Sequence, residues 1–251
     1  MINQLAALDS SSARLRSIVG QLSDSQLVAR AYPTEWSIAD VLSHLGSGAV
    51  IFQRRLTAAV AGEEIPADYA PGVWATWNAK SARAQADDTL IADQQLLDEL
   101  HALSAEQAAN FSFAMGPMSF DFAGFLELRL NEVVLHTWDV EVMTDPAAAL
   151  PSDGTQLIID NLQTLVRYTG KPNGTRTVSV RTASPARDFL INYTDDAVSL
   201  TPAKITTAPD VVMDSEAFIR LLYGRLDPDH TPPAIAGVAD LGSLRATFPG
   251  P

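Results

Sequence analysis

Apolar residues recur at helical spacing through the first part of the chain. Residues 3–22 carry leucine, isoleucine and valine at intervals of three and four, which predicts a first helix. Residues 24–33 read as a connection. A second helix is predicted over residues 38–56, where one stripe is apolar, and the pair Ser37 and Asp40 before it has the spacing of a capping box.

Two further segments separate this helix from the middle of the chain. Gly62 to Gly72 contains two prolines and is predicted to be a loop. Val73 to Leu103 is rich in helix-forming residues and predicts a third, long helix, which we expect to bend or break at the polar pair Asp87 and Asp88. Residues 104–119 read as a second loop.

A fourth helix, from about Phe120 to Met143, is apolar on two sides, which is typical of a buried helix. Arg129, Glu132 and His136 form a narrow polar strip within it. Burying such a strip costs free energy unless partners or a metal ion compensate for the lost water. This segment is therefore the strongest candidate for chemistry.

Glu132 and His136 are four residues apart, so on a helix they share one face and can bind one cation. Carboxylate and imidazole together suit zinc or a similar divalent metal. The best third ligand is His44, on the flank of the second helix's apolar stripe. The alternatives are an ordinary surface role for His44 and a structural salt bridge between Glu132 and Arg129.

The pattern changes after the prolines near position 150, which predicts a domain boundary, with one domain over residues 1–148 and another over 149–251. A helix is predicted over Thr155–Tyr168, and another starts at Ser215, which we expect to be its cap. Between and after them come short segments rich in β-branched residues, and a last short helix ends the chain. Strands are predicted over 175–181, 189–193, 197–200 and 210–213, and the last helix over 240–248. This half is an α+β domain with helices on one face of a mainly antiparallel sheet.

Composition narrows the classes of partner. The 251 residues carry a formal net charge of −13 with no basic stripe, which disfavours nucleic acid and acidic membrane surfaces as partners. No signal peptide or membrane-spanning stretch is evident, so the cytoplasm is the expected compartment. Cysteine is absent, which excludes thiolate ligands and a thiol nucleophile from the protein itself. Each domain has enough apolar residues for its own core, so a monomer is expected.

Two motifs resemble a known family. The segment Trp36–Leu45 and the segment Asn131–Asp139 are similar to the metal-site motifs of the DinB-like fold and, more narrowly, of the mycothiol-dependent maleylpyruvate isomerase family. The segments Phe218–Leu226 and Phe248–Gly250 are similar to that family's sterol-carrier-like second domain. The resemblance implies a two-domain α plus α/β chain, with a DinB-like four-helix bundle followed by a smaller α+β domain.

The resemblance also implies a site. The family binds zinc through residues that correspond here to His44, Glu132 and His136, although such a ligand set also accepts nickel, iron or copper. It uses the thiol mycothiol as cosubstrate. An arginine of the second domain is implicated in the family, and Arg225 is the candidate, with a helix C-terminal cation beside Gly224 as the alternative.

A metal-bound thiol loses its proton at neutral pH, because the cation stabilises the thiolate. We expect the thiolate to add to a cis-enone, after which the new single bond rotates and elimination gives the trans isomer. Arg225 would hold a substrate carboxylate, and Asp40 and Asp139 are candidates for orienting the histidines.

The predicted function is thus a mycothiol-using isomerase or S-transferase. The alternatives are a thiol-independent enzyme of specialised metabolism that uses the metal as a Lewis acid, and a non-catalytic binding or regulatory protein with a vestigial site.

Overall fold

A computed structural model describes residues 2–33, 35–116 and 118–250, with side chains from Gln4 onward. Pro117, within the predicted 104–119 loop, lies outside the described residues. The chain divides into two compact units, residues 1–148 and 149–251. None of the described helices is long and apolar enough to cross a membrane.

The first unit is built around four long helices, which confirms the predicted helical bundle. They are α1 (Ile2–Val19), α3 (Ile38–Ala61), α5 (Ala82–Ala102) and α7 (Phe122–Glu141). Helix α3 packs against α5 and α7, and α1 packs against the same two helices. The interior consists of leucine, valine, isoleucine and phenylalanine side chains. Because these side chains recur with the 3.6-residue period of a helix, each helix has an apolar face, and burial of these faces drives the helices together.

Capping boxes precede several helices of this unit, and the sequence analysis predicted one of these boxes. The capping box before α3 is confirmed: the Ser37 hydroxyl accepts from the Asp40 N–H at 3.1 Å, and the Asp40 carboxylate accepts from the Ser37 N–H at 2.9 Å. The connection over 24–33 contains a four-residue helix, α2 (Asp24–Leu27), with a capping box of its own at Ser23.

The prediction of one long helix over 73–103 is wrong in two respects: helical structure begins earlier than residue 73, and the break does not fall at Asp87 and Asp88. The chain forms α4 (Tyr69–Asn78) and then α5, and the break falls at residues 79–81, where the Ser81 hydroxyl caps α5. Helix α5 continues through Asp87 and Asp88 because these acids pair on its outer side with Arg83 and Lys80. A polar pair on the solvent face does not interrupt backbone hydrogen bonding.

The predicted loop over 104–119 contains regular structure. Ser104 and Gln107 form a capping box for the short helix α6 (Ala105–Asn110). Strands β1 (Phe113–Met115) and β2 (Met118–Phe120) then pair antiparallel. The rings of Phe111 and Phe113 pack against Phe125 of α7, with ring centroids 5.0 and 5.6 Å apart, and Phe125 in turn packs against Phe52 of α3 at 5.0 Å. This aromatic cluster fixes the β1–β2 hairpin to the bundle.

The second unit confirms the predicted α+β class. Its strands are β3 (Arg176–Ala183), β4 (Arg187–Tyr193), β5 (Val198–Pro202), β6 (Val211–Asp214) and β7 (Ala236–Gly237). Within the described residues they form one sheet in the order β5-β4-β3-β6-β7, antiparallel except for the β3–β6 pair. Alternate residues such as Val180, Ile191 and Leu200 are buried, so one face carries the core.

The helices of this unit differ from the prediction in two places. The segment predicted as one helix over 155–168 is α8 (Ser152–Ile158), a 3-10 turn (159–161) and α9 (Gln163–Thr169). Helix α10 (Ser215–Leu222) begins at Ser215, but its N-cap residue is Asp214, and the Ser215 hydroxyl instead donates to the Pro185 carbonyl at 2.8 Å. The last helix, α11 (Leu241–Thr247), is capped by Asp240.

A close contact in the bundle depends on a glycine. A Cβ at Gly46 of α3 would lie 2.3 Å from ring atoms of Trp77 and 2.6 Å from the Thr89 hydroxyl. Both of these side chains are buried, so they have little room to move. Gly46 therefore allows α4 and α5 to approach α3 closely.

We expect Gly46→Ala to lower the free energy of unfolding by about 1–3 kcal/mol, because overpacking outweighs the gain in helix propensity. The matched control is Gly72→Ala in α4, where an added Cβ meets nothing within 4 Å. That change should be neutral or stabilise by up to about 1 kcal/mol. Urea unfolding followed by circular dichroism measures both, and equal effects would contradict the packing argument.

Candidate metal centre

Three predicted ligands lie together in the first unit. Helix α3 supplies His44, and α7 supplies Glu132 and His136 one turn apart. The His44 Nε2 atom lies 2.8 Å from Glu132 Oε2, and His136 Nε2 lies 3.6 Å from the same oxygen. The two imidazole rings meet edge to face with centroids 4.6 Å apart. Residues 88 positions apart in sequence thus form one cluster.

A buried carboxylate holds the His136 ring. His136 Nδ1 lies 2.8 Å from Asp139 Oδ2, and the Asp139 side chain is fully buried. A carboxylate only accepts hydrogen bonds, so Nδ1 is the protonated nitrogen. In its neutral form, such a ring carries its lone pair on Nε2, the nitrogen that faces Glu132. This is the usual arrangement of a metal-binding histidine and its supporting acid.

Glu132 is ionised at neutral pH. Partial burial favours the neutral acid, but the hydrogen bond with His44 and the nearby charges of His136, His44 and Arg129 outweigh it. Together they lower the pKa of the Glu132 carboxyl to about 2. The site therefore contains an anionic oxygen between two imidazoles.

Arg129 lies beneath this cluster and is almost completely buried. Its Nη2 donates to Asp93 of α5 at 2.8 Å, and its Nη1 donates to the Leu45 carbonyl of α3 at 3.1 Å. The alternative of a Glu132–Arg129 salt bridge is therefore wrong: Arg129 pairs with Asp93. Glu132 remains available for other partners.

An indole ring borders the cluster. Trp36, just before α3, lies 5.4 Å from the His44 ring centroid and 6.2 Å from that of His136, nearly parallel to the latter. The side chains of His44 and Glu132 are 37% and 42% exposed, so solvent reaches them. The centre thus has an aromatic wall on one side and an accessible side through which a small molecule can enter.

The donor set fits a divalent ion. Metal bonds of about 2.0–2.2 Å require donor atoms within roughly twice that distance of one another, and the separations of 2.8 Å and 3.6 Å satisfy this. The ligand atoms of the three residues all lie within 4.8 Å of one another. Two imidazole nitrogens and one carboxylate oxygen are ligands that zinc and nickel accept.

The other two acids and the arginine singled out from the sequence have different surroundings. The Asp40 carboxylate accepts from the Ser37 backbone and hydroxyl as part of the cap, whereas Asp139 contacts a histidine. Arg225 lies in the second unit, where it is buried and its Nη1 donates to the Tyr223 carbonyl at 2.9 Å. Its catalytic role stays a prediction.

Sequence reasoning assigned no role to Asp93 or to the Trp36 ring. Other polar residues lie close to both Asp93 and Arg129 in the sequence, so no local signal suggested the pair that their side chains form across the bundle. No sequence signal places the Trp36 ring against both imidazoles, because that contact depends on the turn before α3.

Known proteins resemble the chain in sequence and in fold. Residues 8–141 match the family model described as the mycothiol maleylpyruvate isomerase N-terminal domain. A crystal structure of a mycothiol-dependent maleylpyruvate isomerase superposes with a TM-score of 0.65 at 11% identity, covering 90% of this chain and 89% of that one. The structure of a histidine-to-alanine mutant of such an isomerase gives 0.65 at 12% identity, covering 89% and 88%.

At such identities the likeness of the structures shows a shared fold over nearly the whole chain. A comparison with curated proteins gave no significant match. The family model, however, covers more than half of the 251 residues and includes all three residues of the candidate metal centre. The chain therefore belongs to the mycothiol maleylpyruvate isomerase family defined by that N-terminal domain.

Proposed function

We propose that this protein is a metal-dependent enzyme that uses mycothiol to isomerise, or to transfer sulfur to, a small electrophilic molecule. The metal, zinc or another divalent ion such as nickel, would be bound by His44, Glu132 and His136. The observation that carries the proposal is the convergence of these three side chains at 2.8 Å and 3.6 Å on an accessible surface. The expected setting is a cytoplasmic monomer.

The composition supports an external nucleophile. The chain has no cysteine, so sulfur chemistry at this site needs a thiol from outside. A bound divalent ion would lower the pKa of a thiol and thereby supply a nucleophile at neutral pH. In the isomerase version, sulfur adds to the double bond of a cis-enone, the single bond rotates, and elimination returns the thiol with the trans product.

The protein's own residues prepare the site. Asp139 holds the tautomer of His136, and the Asp93–Arg129 pair compensates a buried charge so that Glu132 stays free to bind the ion. Trp36 covers one side of both imidazoles and excludes water there. The assignment of Arg225 to a substrate carboxylate is part of this proposal and rests on the family resemblance.

Metal content tests the ligand set directly. Wild-type protein incubated with Zn²⁺ and dialysed should retain about one ion per chain, whereas His44→Ala should retain much less because one of three ligands is lost. His101→Ala is the matched control, since His101 is exposed and pairs with Asp9 away from the centre. Elemental analysis gives the stoichiometry, and retention of zinc by His44→Ala would contradict the assignment.

The hydrogen bond between Asp139 and His136 should raise the affinity of the centre for zinc. Asp139→Asn keeps the size of the side chain but removes its charge, and we expect zinc affinity to fall about 10–100-fold. Competition with a zinc-binding dye measures the affinity, and circular dichroism checks the fold. Asp40→Asn, in the helix cap, is the control and should leave the affinity unchanged. An unaltered affinity in Asp139→Asn would remove this residue from the site.

Thiol dependence separates the three candidate functions. With metal-loaded protein and maleylpyruvate as the cis-enone probe, we expect turnover in the presence of mycothiol and none in its absence. Ultraviolet absorbance of substrate and product follows the reaction. Turnover without thiol would favour the Lewis-acid alternative. A well-folded protein that binds no metal ion and shows no turnover would favour the non-catalytic binding or regulatory function.

A further inference from the structure

Arg55 is a cation with no acidic partner among the residues that the structure describes. It lies near the C-terminal end of α3, half-buried, with its guanidinium carbon 5.5 Å from the Phe52 ring centroid and 5.2 Å from that of Phe113. Among the residues that the structure describes, no carboxylate or carbonyl accepts a hydrogen bond from this guanidinium. The two rings hold the cation in place by cation–π contacts, and its N–H donors have no acceptor within the described part of the chain.

The neighbouring arginine behaves differently. Arg54 donates to Glu63 at 2.9 Å, as expected in a chain with 30 acidic and 17 basic residues other than histidine. Burial lowers the pKa of Arg55, and no described charge offsets that effect. A partly desolvated cation of this kind gains free energy when an anion reaches it.

The guanidinium borders a pocket of about 250 Å³ between the end of α3, the chain before α4 and the β1–β2 hairpin. Most of its lining is apolar: Ile51, Ile65, Ala70, Phe113 and Met115 line it, together with Tyr69. The pocket is smaller than sites for drug-sized ligands, which span about 300–1,000 Å³, but its combination of apolar walls with one placed charge suits a smaller ligand.

This pocket is distinct from the candidate metal centre. Arg55 is eleven residues after His44 on the same helix, which corresponds to about 16 Å along the axis. None of the three candidate metal ligands lines the pocket. Ligand binding here can therefore be tested whether or not the proposed metal chemistry is correct.

We propose that this pocket binds a small carboxylate with an apolar tail. The carboxylate would accept two hydrogen bonds from the Arg55 guanidinium, and the tail would lie against Ile51, Phe113 and Met115. Charge assistance and the planar guanidinium favour a carboxylate in this orientation. The chemistry alone defines the ligand class, and octanoate is a suitable probe.

Octanoate binding to the full chain, measured by calorimetry, tests the proposal. Arg55→Met removes the charge while keeping an unbranched apolar side chain, and should weaken octanoate binding about 10–100-fold. Arg54→Met, one residue away, should bind octanoate as the wild type does. Octanamide, which lacks the charge, should bind wild type and Arg55→Met equally weakly.

Methyl resonances of methionine locate the ligand. Octanoate should shift the Met115 signal and leave those of Met143 and Met213 unchanged, because only Met115 lines the pocket. If Arg55→Met fails to fold, Ala70→Leu narrows the pocket while keeping the arginine, and should also weaken binding. Absence of octanoate binding, equal binding to Arg55→Met, or shifts at Met143 or Met213 would each overturn the proposal.

Discussion

One buried arginine joins the centre of the helical bundle. Arg129 of α7 donates to the Leu45 carbonyl of α3 and to Asp93 of α5, so a single side chain connects three helices. Leu45 is adjacent to His44, and Arg129 is one turn before Glu132. The hydrogen bond between Arg129 and the Leu45 carbonyl fixes the position of α3 along α7, and it therefore brings His44 next to Glu132. Gly48 leaves room for it, since a Cβ there would lie 3.2 Å from Nη1.

Charge compensation below the surface determines which groups remain available at the surface. A buried arginine must be paired, and Glu132 is the acid that follows it by about one turn of the same helix. Because Asp93 supplies that partner, Glu132 keeps its carboxylate for His44 and His136. Asp139 has a similar effect on His136, whose second nitrogen it holds. The centre thus consists of three partly exposed candidate metal ligands, supported from below by two buried aspartates and one buried arginine.

Arg55 and Arg129 show opposite solutions to the same problem on neighbouring helices. Arg129 has an acid and a carbonyl as partners and is closed off from solvent. Arg55 has two aromatic rings and an open pocket. A cation paired with a buried acid is a structural element, whereas a cation at a pocket wall with no acid beside it among the described residues can serve in recognition.

The sequence by itself determined the long helices, the main strands and the shared face of Glu132 and His136, because these depend on local periodicity, capping and spacing along one helix. It offered His44, on another helix, as a candidate third ligand, with an ordinary surface role as the alternative. It did not determine the break at residues 79–81, the hairpin over 113–120 or the 3-10 turn over 159–161, because segments this short have too few residues to show a period. Only the tertiary structure showed that Arg129 pairs with Asp93, that Asp139 rather than Asp40 holds a histidine, and that Arg55 lacks an acid among the described residues. The physical reason is that a charged side chain is paired with groups close to it in space. These groups can be distant in sequence, and the packing of the helices decides which of them meet.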